Sequence, residues 1–273
     1  FSRQMNILVI PTTDWIRHPV PNRLNFIFDI LAKRHTVHVL HFPLGKFRNN
    51  NPRDTSCTLI ESGRKSIDDP SPFYLLSSPC HLLDIRRIVK ERDIGVILSA
   101  NILPSFFANF SGTPVVFDYL DHLGESASVY YPDSLTGRIV QKFTATVTRF
   151  NVRRAQEVIT VSSEFERYLG LLGVKRITVI PNGVDTTILT PMSRDEAKAR
   201  LKLDGRTVIG YIGSLEYWVD LETVIEALPE LDVTVLIVGP GLFTDYGERL
   251  QEIAASHGVP DQVIFTGAVR FDE

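Results

Sequence analysis

Short apolar runs alternate with amphipathic stretches along almost the whole chain. Asn6–Ile10, His35–His41, Cys57–Ile60, Phe73–Leu76, Gly95–Ser99 and Thr113–Asp118 read as strands, rich in aliphatic residues and bounded by turn formers. Between them Arg23–Lys33 and Leu82–Arg92 repeat apolar residues at helical spacing, whereas Pro43–Asp54 and Asp121–Ser134 read as loops. A long helix is expected over Leu135–Ala155 and a strand over Val158–Val161. A helix follows, opened by a Ser163-x-x-Glu166 capping box and closed at Gly173. The strand Ile177–Ile180 is cut off by Pro181, and Asn182-Gly183 supplies the positive φ angles of a sharp turn. Beyond Pro191 the pattern restarts with helices at Arg194–Leu201, Leu221–Leu228 and Tyr246–Ser256 and strands at Thr207–Ile212, Val233–Val238 and Gln262–Thr266.

Strictly alternating strands and helices imply parallel sheets covered by helices on both faces. The chain divides into a domain over residues 5–190 and a short one over 191–273. In such sheets ligands bind beyond the carboxyl ends of the strands, so the loops there are where chemistry is sought.

Composition narrows the class. A hydrophobic share of 44% with 22% charged residues is that of a globular protein. Cys57 and Cys80 lack paired-thiol spacing and read as free thiols of a cytoplasmic protein, for which the basic first domain leaves open a peripheral place at the inner face of a membrane. No apolar run reaches the roughly 20 residues of a membrane span. Residues 1–190 carry 22 Lys and Arg against 17 Asp and Glu, and residues 191–273 carry 7 against 15. A basic first half suits an anionic acceptor or an acidic membrane surface; uneven solvated surface is the plainer alternative, and nothing points to nucleic acid.

Five segments could carry chemistry. Gly213-Ser214 ends the first strand of the second domain, where a glycine lets backbone approach a ligand and the next helix can offer N–H groups to a diphosphate. The alternative there is an ordinary strand-to-helix turn with Trp218 packed in the core. Val238-Gly239-Pro240-Gly241 is a second such turn, or simply a tight reversal. Asp118, Asp121 and His122 follow a buried strand, and a carboxylate or imidazole there suits a general base for an attacking hydroxyl; Asx-turns and caps are the alternative. The loop after the first strand offers Thr12, Thr13, Arg17 and, at its end, Arg23 for an acceptor or a phosphate, although scattered arginines are often only solvated. The helix from Leu135 sets Arg138, Lys142, Arg149, Arg153 and Arg154 opposite Ile139, Phe143, Val147 and Phe150; packing of that apolar stripe on the sheet is favoured over membrane contact. His35, His38 and His41 fall in a strand and do not converge, so no metal is expected.

The segment VITVSSEFERYLGLLGVKRITVIPNGVD, Val158–Asp185, resembles the passage by which family-4-like glycosyltransferases of the GT-B fold leave their first Rossmann-like domain and enter the second. The resemblance implies an α/β fold of two doubly wound parallel-sheet domains facing a cleft. The second would be incomplete here, since in the family a further stretch follows that holds an acidic donor-binding motif of two glutamates separated by seven residues. It implies transfer of a sugar from a UDP- or GDP-type donor to a lipid-linked, polysaccharide or other cell-envelope acceptor, with no cofactor and no metal, and little activity for this stretch alone. Gly213, Ser214, Trp218, Gly239 and Gly241 would then hold the sugar nucleotide. Val269 and Arg270 would meet the nucleobase, and Asp121, ahead of Asp118 and His122, would serve as base. The family's usual Arg and Lys are missing from the phosphate loop, which reads Ser214 and Glu216-Tyr217-Trp218-Val219-Asp220, similar to an exopolysaccharide and cell-envelope branch. A non-catalytic relative on the same fold stays open. A dinucleotide-dependent oxidoreductase is disfavoured, because Ile10-Pro11-Thr12-Thr13-Asp14 lacks the glycines of that fingerprint.

Overall fold

In a computed structural model the residues described are 4–62, 77–122, 135–187, 189–241 and 244–269. Contacts divide the chain into two compact units, one ending at Gly183 and the other starting at Val184.

The first unit is built on seven parallel strands: β1 (Asn6–Ile10), β2 (Thr36–His41), β3 (Thr58–Glu61), β4 (Val96–Ser99), β5 (Val115–Tyr119), β6 (Glu157–Thr160) and β7 (Ile177–Val179). They lie in the order β3-β2-β1-β4-β5-β6-β7, so the winding direction reverses between β1 and β4. Side chains alternate between faces. Leu8, Ile10 and Leu40 join one apolar cluster, while Ile7, Val9, Val37 and Val39 join another across the sheet. That is why these strands read as continuous apolar runs. The crossovers carry α1 (Arg23–Leu31), α2 (Ser78–Glu91), α3 (Ile102–Ala108), α4 (Leu135–Arg154) and α5 (Ser163–Leu171). The expected strand at Phe73–Leu76 lies outside the described residues.

Three local differences from the sequence reading have physical causes. Helix α3 was not foreseen because it is short and contains Pro104, which is tolerated in the first turn because the N–H it lacks would have no intrahelical acceptor there. The cap of α5 is Ser162 rather than Ser163: Ser162 takes the extended conformation, and its hydroxyl accepts from the Phe165 amide at 3.2 Å. In α4 the expected sheet-facing stripe is split. Val147 is buried, but Ile139 and Phe143 are 61% and 48% exposed. The inward face instead carries Val147, Thr148, Asn151 and Val152, and the Asn151 amide donates to the Ile102 carbonyl of α3 at 2.8 Å.

The second unit contains three parallel strands, β8 (Val208–Ile212), β9 (Thr234–Val238) and β10 (Val263–Gly267), in the order β10-β9-β8. Helices α6 (Arg194–Leu201), α7 (Glu222–Glu226) and α8 (Tyr246–Ser256) accompany them. Leu215, Ile225, Val235, Ile237, Leu250 and Val263 are among the residues of its own core.

An ionic cluster, buried at Asp14 and His41 and open to solvent at Glu61, fixes the loop after β1. Asp14 accepts from the amides of Ile16, Arg17 and Leu44 at 3.1, 2.8 and 3.1 Å, and its Oδ1 lies 3.1 Å from His41 Nε2. His41 Nδ1 in turn meets Glu61 Oε1 at 2.8 Å. Burial alone pushes the Asp14 carboxyl up, but the His41 bond and the backbone amides outweigh it and hold the group below its ordinary range. Burial likewise pulls the His41 imidazole down, and its two carboxylate partners outweigh that and hold it above its ordinary value. The histidine that a strand register seemed to isolate is thus met by partners from two neighbouring elements. Asp14→Ala is expected to cost about 3 kcal/mol at neutral pH by urea denaturation, since it strands a buried partner. A depressed carboxyl gives stability that is lost as pH falls, so the penalty should shrink on acidification; a penalty independent of pH would contradict the cluster.

Candidate functional site

Each sheet presents its candidate residues at the carboxyl ends of its strands. In the first unit Asp118 occupies the end of β5, beside Ile159 of β6. Its side chain is 1% exposed, and neither carboxylate oxygen makes a hydrogen bond among the described residues. The closest cation is Arg23, whose Nε lies 3.8 Å from Asp118 Oδ2. Burial pushes the Asp118 carboxyl up to about 6, with the Arg23 charge opposing.

Arg23 is delivered by the start of α1, where Asn22 and Asn25 form a reciprocal capping box. Its Nη1 donates to the Ile180 carbonyl at 2.7 Å and meets Asn182 Oδ1 at 3.4 Å. The guanidinium offered above to a phosphate or an acceptor is therefore engaged with the turn after β7. Arg17 is held by its backbone, donating to Asp14 at 2.8 Å and accepting from Asn50 at 2.9 Å, while its Nε is buried without a hydrogen bond. Thr12 and Thr13 stand half-buried in the same loop.

Asp121 is exposed, and its Oδ1 accepts from the His122 amide at 2.7 Å. The bond is to the next residue rather than two on as in an Asx-turn, and it leaves the Asp121 side chain on the surface. His122 Nδ1 lies 3.0 Å from the Tyr119 hydroxyl. Its ring stands edge-on to Phe165 and Tyr168 at 5.0 and 4.6 Å between centroids. Tyr119, Phe165 and Tyr168 were missed by sequence reasoning. The available signal was the three-residue spacing of Phe165 and Tyr168, which sets them on one face of α5.

In the second unit three turns are stitched together. The Gly213 amide donates to Val238 at 3.0 Å, Leu215 to Pro240 at 2.9 Å, and Gly239 to Gly267 at 3.0 Å. Gly239 adopts φ +135°, and a Cβ there would lie 2.0 Å from the Gly213 carbonyl oxygen. Only glycine permits that approach. A Cβ on Gly241 would come within 2.8 Å of the Thr244 carbonyl oxygen. Ser214 is half-buried, and its carbonyl accepts from the Tyr211 hydroxyl at 2.8 Å.

Trp218 is 50% exposed, so the packed-core alternative for it fails. Glu216 is fully buried and accepts from the Thr244 hydroxyl at 2.9 Å. It pins the β8 loop to the start of α8. Val269 stands exposed after β10, and Arg270 lies outside the described residues. No group of three or more His, Cys, Asp or Glu among the described residues is placed to hold a metal ion.

Residues 29–188 match the sequence profile of Glycosyltransferase Family 4, and residues 193–273 match that of Glycosyl transferases group 1. The chain belongs to glycosyltransferase family 4. Its two parallel sheets are those of a GT-B transferase. This family-4 chain is 29% identical over 158 residues to a 2-deoxystreptamine glucosyltransferase of Streptomyces kanamyceticus, covering 54% of the chain and 40% of the relative. It is 31% identical over 127 residues to a GDP-mannose-dependent alpha-(1-6)-phosphatidylinositol monomannoside mannosyltransferase of Mycobacterium tuberculosis, covering 43% and 32%. The chain thus spans well under half the length of these relatives. Among solved structures, Anabaena HepE in complex with UDP and glucose superposes with a TM-score of 0.67 at 20% identity, over 98% of the chain and 70% of HepE.

The Asp118 carboxyl yields a test in this family-4 chain. A carboxyl whose folded pKa is raised gives stability that is present at low pH and lost as pH rises through about 6. Asp118→Asn should therefore melt higher than the parent at about pH 8, by on the order of 3 kcal/mol, with the gain fading below about pH 4. A lower melting temperature for the variant at the alkaline end would contradict this.

Proposed function

We propose that the protein transfers a sugar from a nucleoside-diphosphate sugar, of UDP or GDP type, to a lipid-linked or other cell-envelope acceptor, without metal or cofactor. The observation that carries this reading is the stitched set of glycine turns after β8, β9 and β10. It keeps side chains away from the backbone at the carboxyl edge of a parallel sheet, as a diphosphate site requires. The Gly213 and Ser214 loop would meet the diphosphate. Trp218, Gly239 and Gly241 would line the sugar nucleotide, and Val269 with Arg270 would meet the base. GDP-mannose in the name of the mycobacterial relative and UDP in the HepE complex support that donor class. The phosphatidylinositol mannoside of the same relative supports a lipid-linked acceptor, reached by a cytoplasmic enzyme peripheral to the membrane.

On the acceptor side, roles divide by exposure. Asp121, exposed beyond β5, is the group that could take a proton from an attacking hydroxyl, with His122 beside it. Asp118, shut in beneath it, is a positioning residue that acts through Arg23. A second reading, a nucleotide-sugar-binding relative without catalysis, is favoured by the buried Glu216 in the segment where the family places a lysine.

Calorimetry on the full-length protein tests the donor reading: UDP or GDP should bind, and binding of neither would contradict it. Asp121→Ala should then lower turnover about 100-fold or more with nucleotide affinity unchanged. Unchanged turnover would remove Asp121 from the mechanism, and absence of transfer with normal nucleotide binding would favour the second reading.

A further inference from the structure

Among the described residues, the outward face of α4 is an exposed amphipathic surface. At about 100° per residue, Leu135, Ile139 and Phe143 lie within one arc of roughly 80°, and Arg138, Lys142 and Arg149 fill the next arc of roughly 40°. Leu135, Ile139 and Phe143 are 75%, 61% and 48% exposed, and the three cations beside them are exposed as well. The opposite face is already occupied, with Val147, Asn151 and Val152 buried. The apolar strip continues along the helix to Phe150, which stacks on the half-exposed Phe110 at 5.7 Å between ring centroids. Towards its end the helix lines an open groove of about 360 Å³ with Arg149, Phe150, Arg153 and Arg154.

We propose that this face of α4 docks the protein on an anionic lipid surface, with Leu135, Ile139 and Phe143 entering the headgroup region and Arg138, Lys142 and Arg149 facing lipid phosphates. The helix has five basic residues and no acidic one, and charge complementarity selects the occupant. A second copy of the chain fits poorly, because a two-fold contact through this face would bring its row of cations against the same row. The phosphates and the apolar side chains have matching demands at a bilayer surface, where each cation strengthens binding by roughly fivefold. The inference rests on the lipid-linked acceptor proposed above and gives it a physical address: the helix that follows the Asp121 and His122 segment would hold that segment near the membrane.

Vesicle flotation of the full-length protein tests this without substrate. The protein should float with vesicles of equimolar phosphatidylglycerol and phosphatidylcholine, and should remain unbound with phosphatidylcholine alone. Added salt should weaken the binding. Both Ile139→Asp/Phe143→Asp and the charge-only variant Arg138→Gln/Lys142→Gln/Arg149→Gln should lose it, the latter by about 100-fold, while UDP or GDP binding is kept. No flotation, equal flotation on neutral vesicles, or flotation unchanged in the charge-only variant would overturn the proposal, as would a dimer that Phe143→Asp dissociates in place of vesicle binding. Loss of nucleotide binding with vesicle binding intact would instead count against the transferase reading alone.

Discussion

The carboxyl edge of the second sheet depends on one close approach, that of the Gly239 backbone to the Gly213 carbonyl. A side chain at Gly239 would sit 2.0 Å from that oxygen, so the turns after β8 and β9 can nest only while position 239 is glycine. The bonds from Gly213 to Val238 and from Gly239 to Gly267 then carry the same constraint to all three strands. A bare, rigid strip of backbone is the result. The Gly213, Leu215 and Gly239 amides are taken up by the stitching itself, so what the strip offers a polyanion is rigidity and close backbone approach rather than those N–H groups. The buried Glu216 serves to fix the loop through Thr244.

The first unit solves a different problem, that of holding long loops at the end of a parallel sheet. It does so with buried charge. Asp14 collects three backbone amides and a histidine, and so gives the loop after β1 one conformation. Arg23 links the start of α1 to the turn after β7 and lies against Asp118. The second arrangement is the less satisfied of the two, since among the described residues both Asp118 oxygens lack hydrogen bonds. Unsatisfied buried polar groups are costly, and they concentrate where function requires them.

The alternation of apolar runs made the strands and their parallel pairing legible, because a sheet buried on both faces leaves a continuous aliphatic signature. The glycine turns were legible as turns, but the 2.0 Å approach that makes Gly239 obligatory is a tertiary fact. The Asp14–His41–Glu61 cluster was invisible for the same reason: its members come from three segments, and only strand register brings them together. Asp118 and Asp121 were found as a pair, yet nothing in their spacing reveals that one is shut in and the other open. Helix α4 misled in an instructive way. Ile139 and Phe143 of its most regular apolar stripe face outward, while the inward face is held by buried Val147 and Val152 and by the Asn151 bond to α3.

The central claim is that the donor is held on the backbone strip formed by the turns after β8, β9 and β10. Hydrogen–deuterium exchange of the full-length protein with and without UDP or GDP tests it directly. Amides in residues 212–215, 238–241 and 267–269 should gain protection on nucleotide binding, with those of α4 unchanged. Protection confined to other segments, or none at saturating nucleotide, would contradict the account.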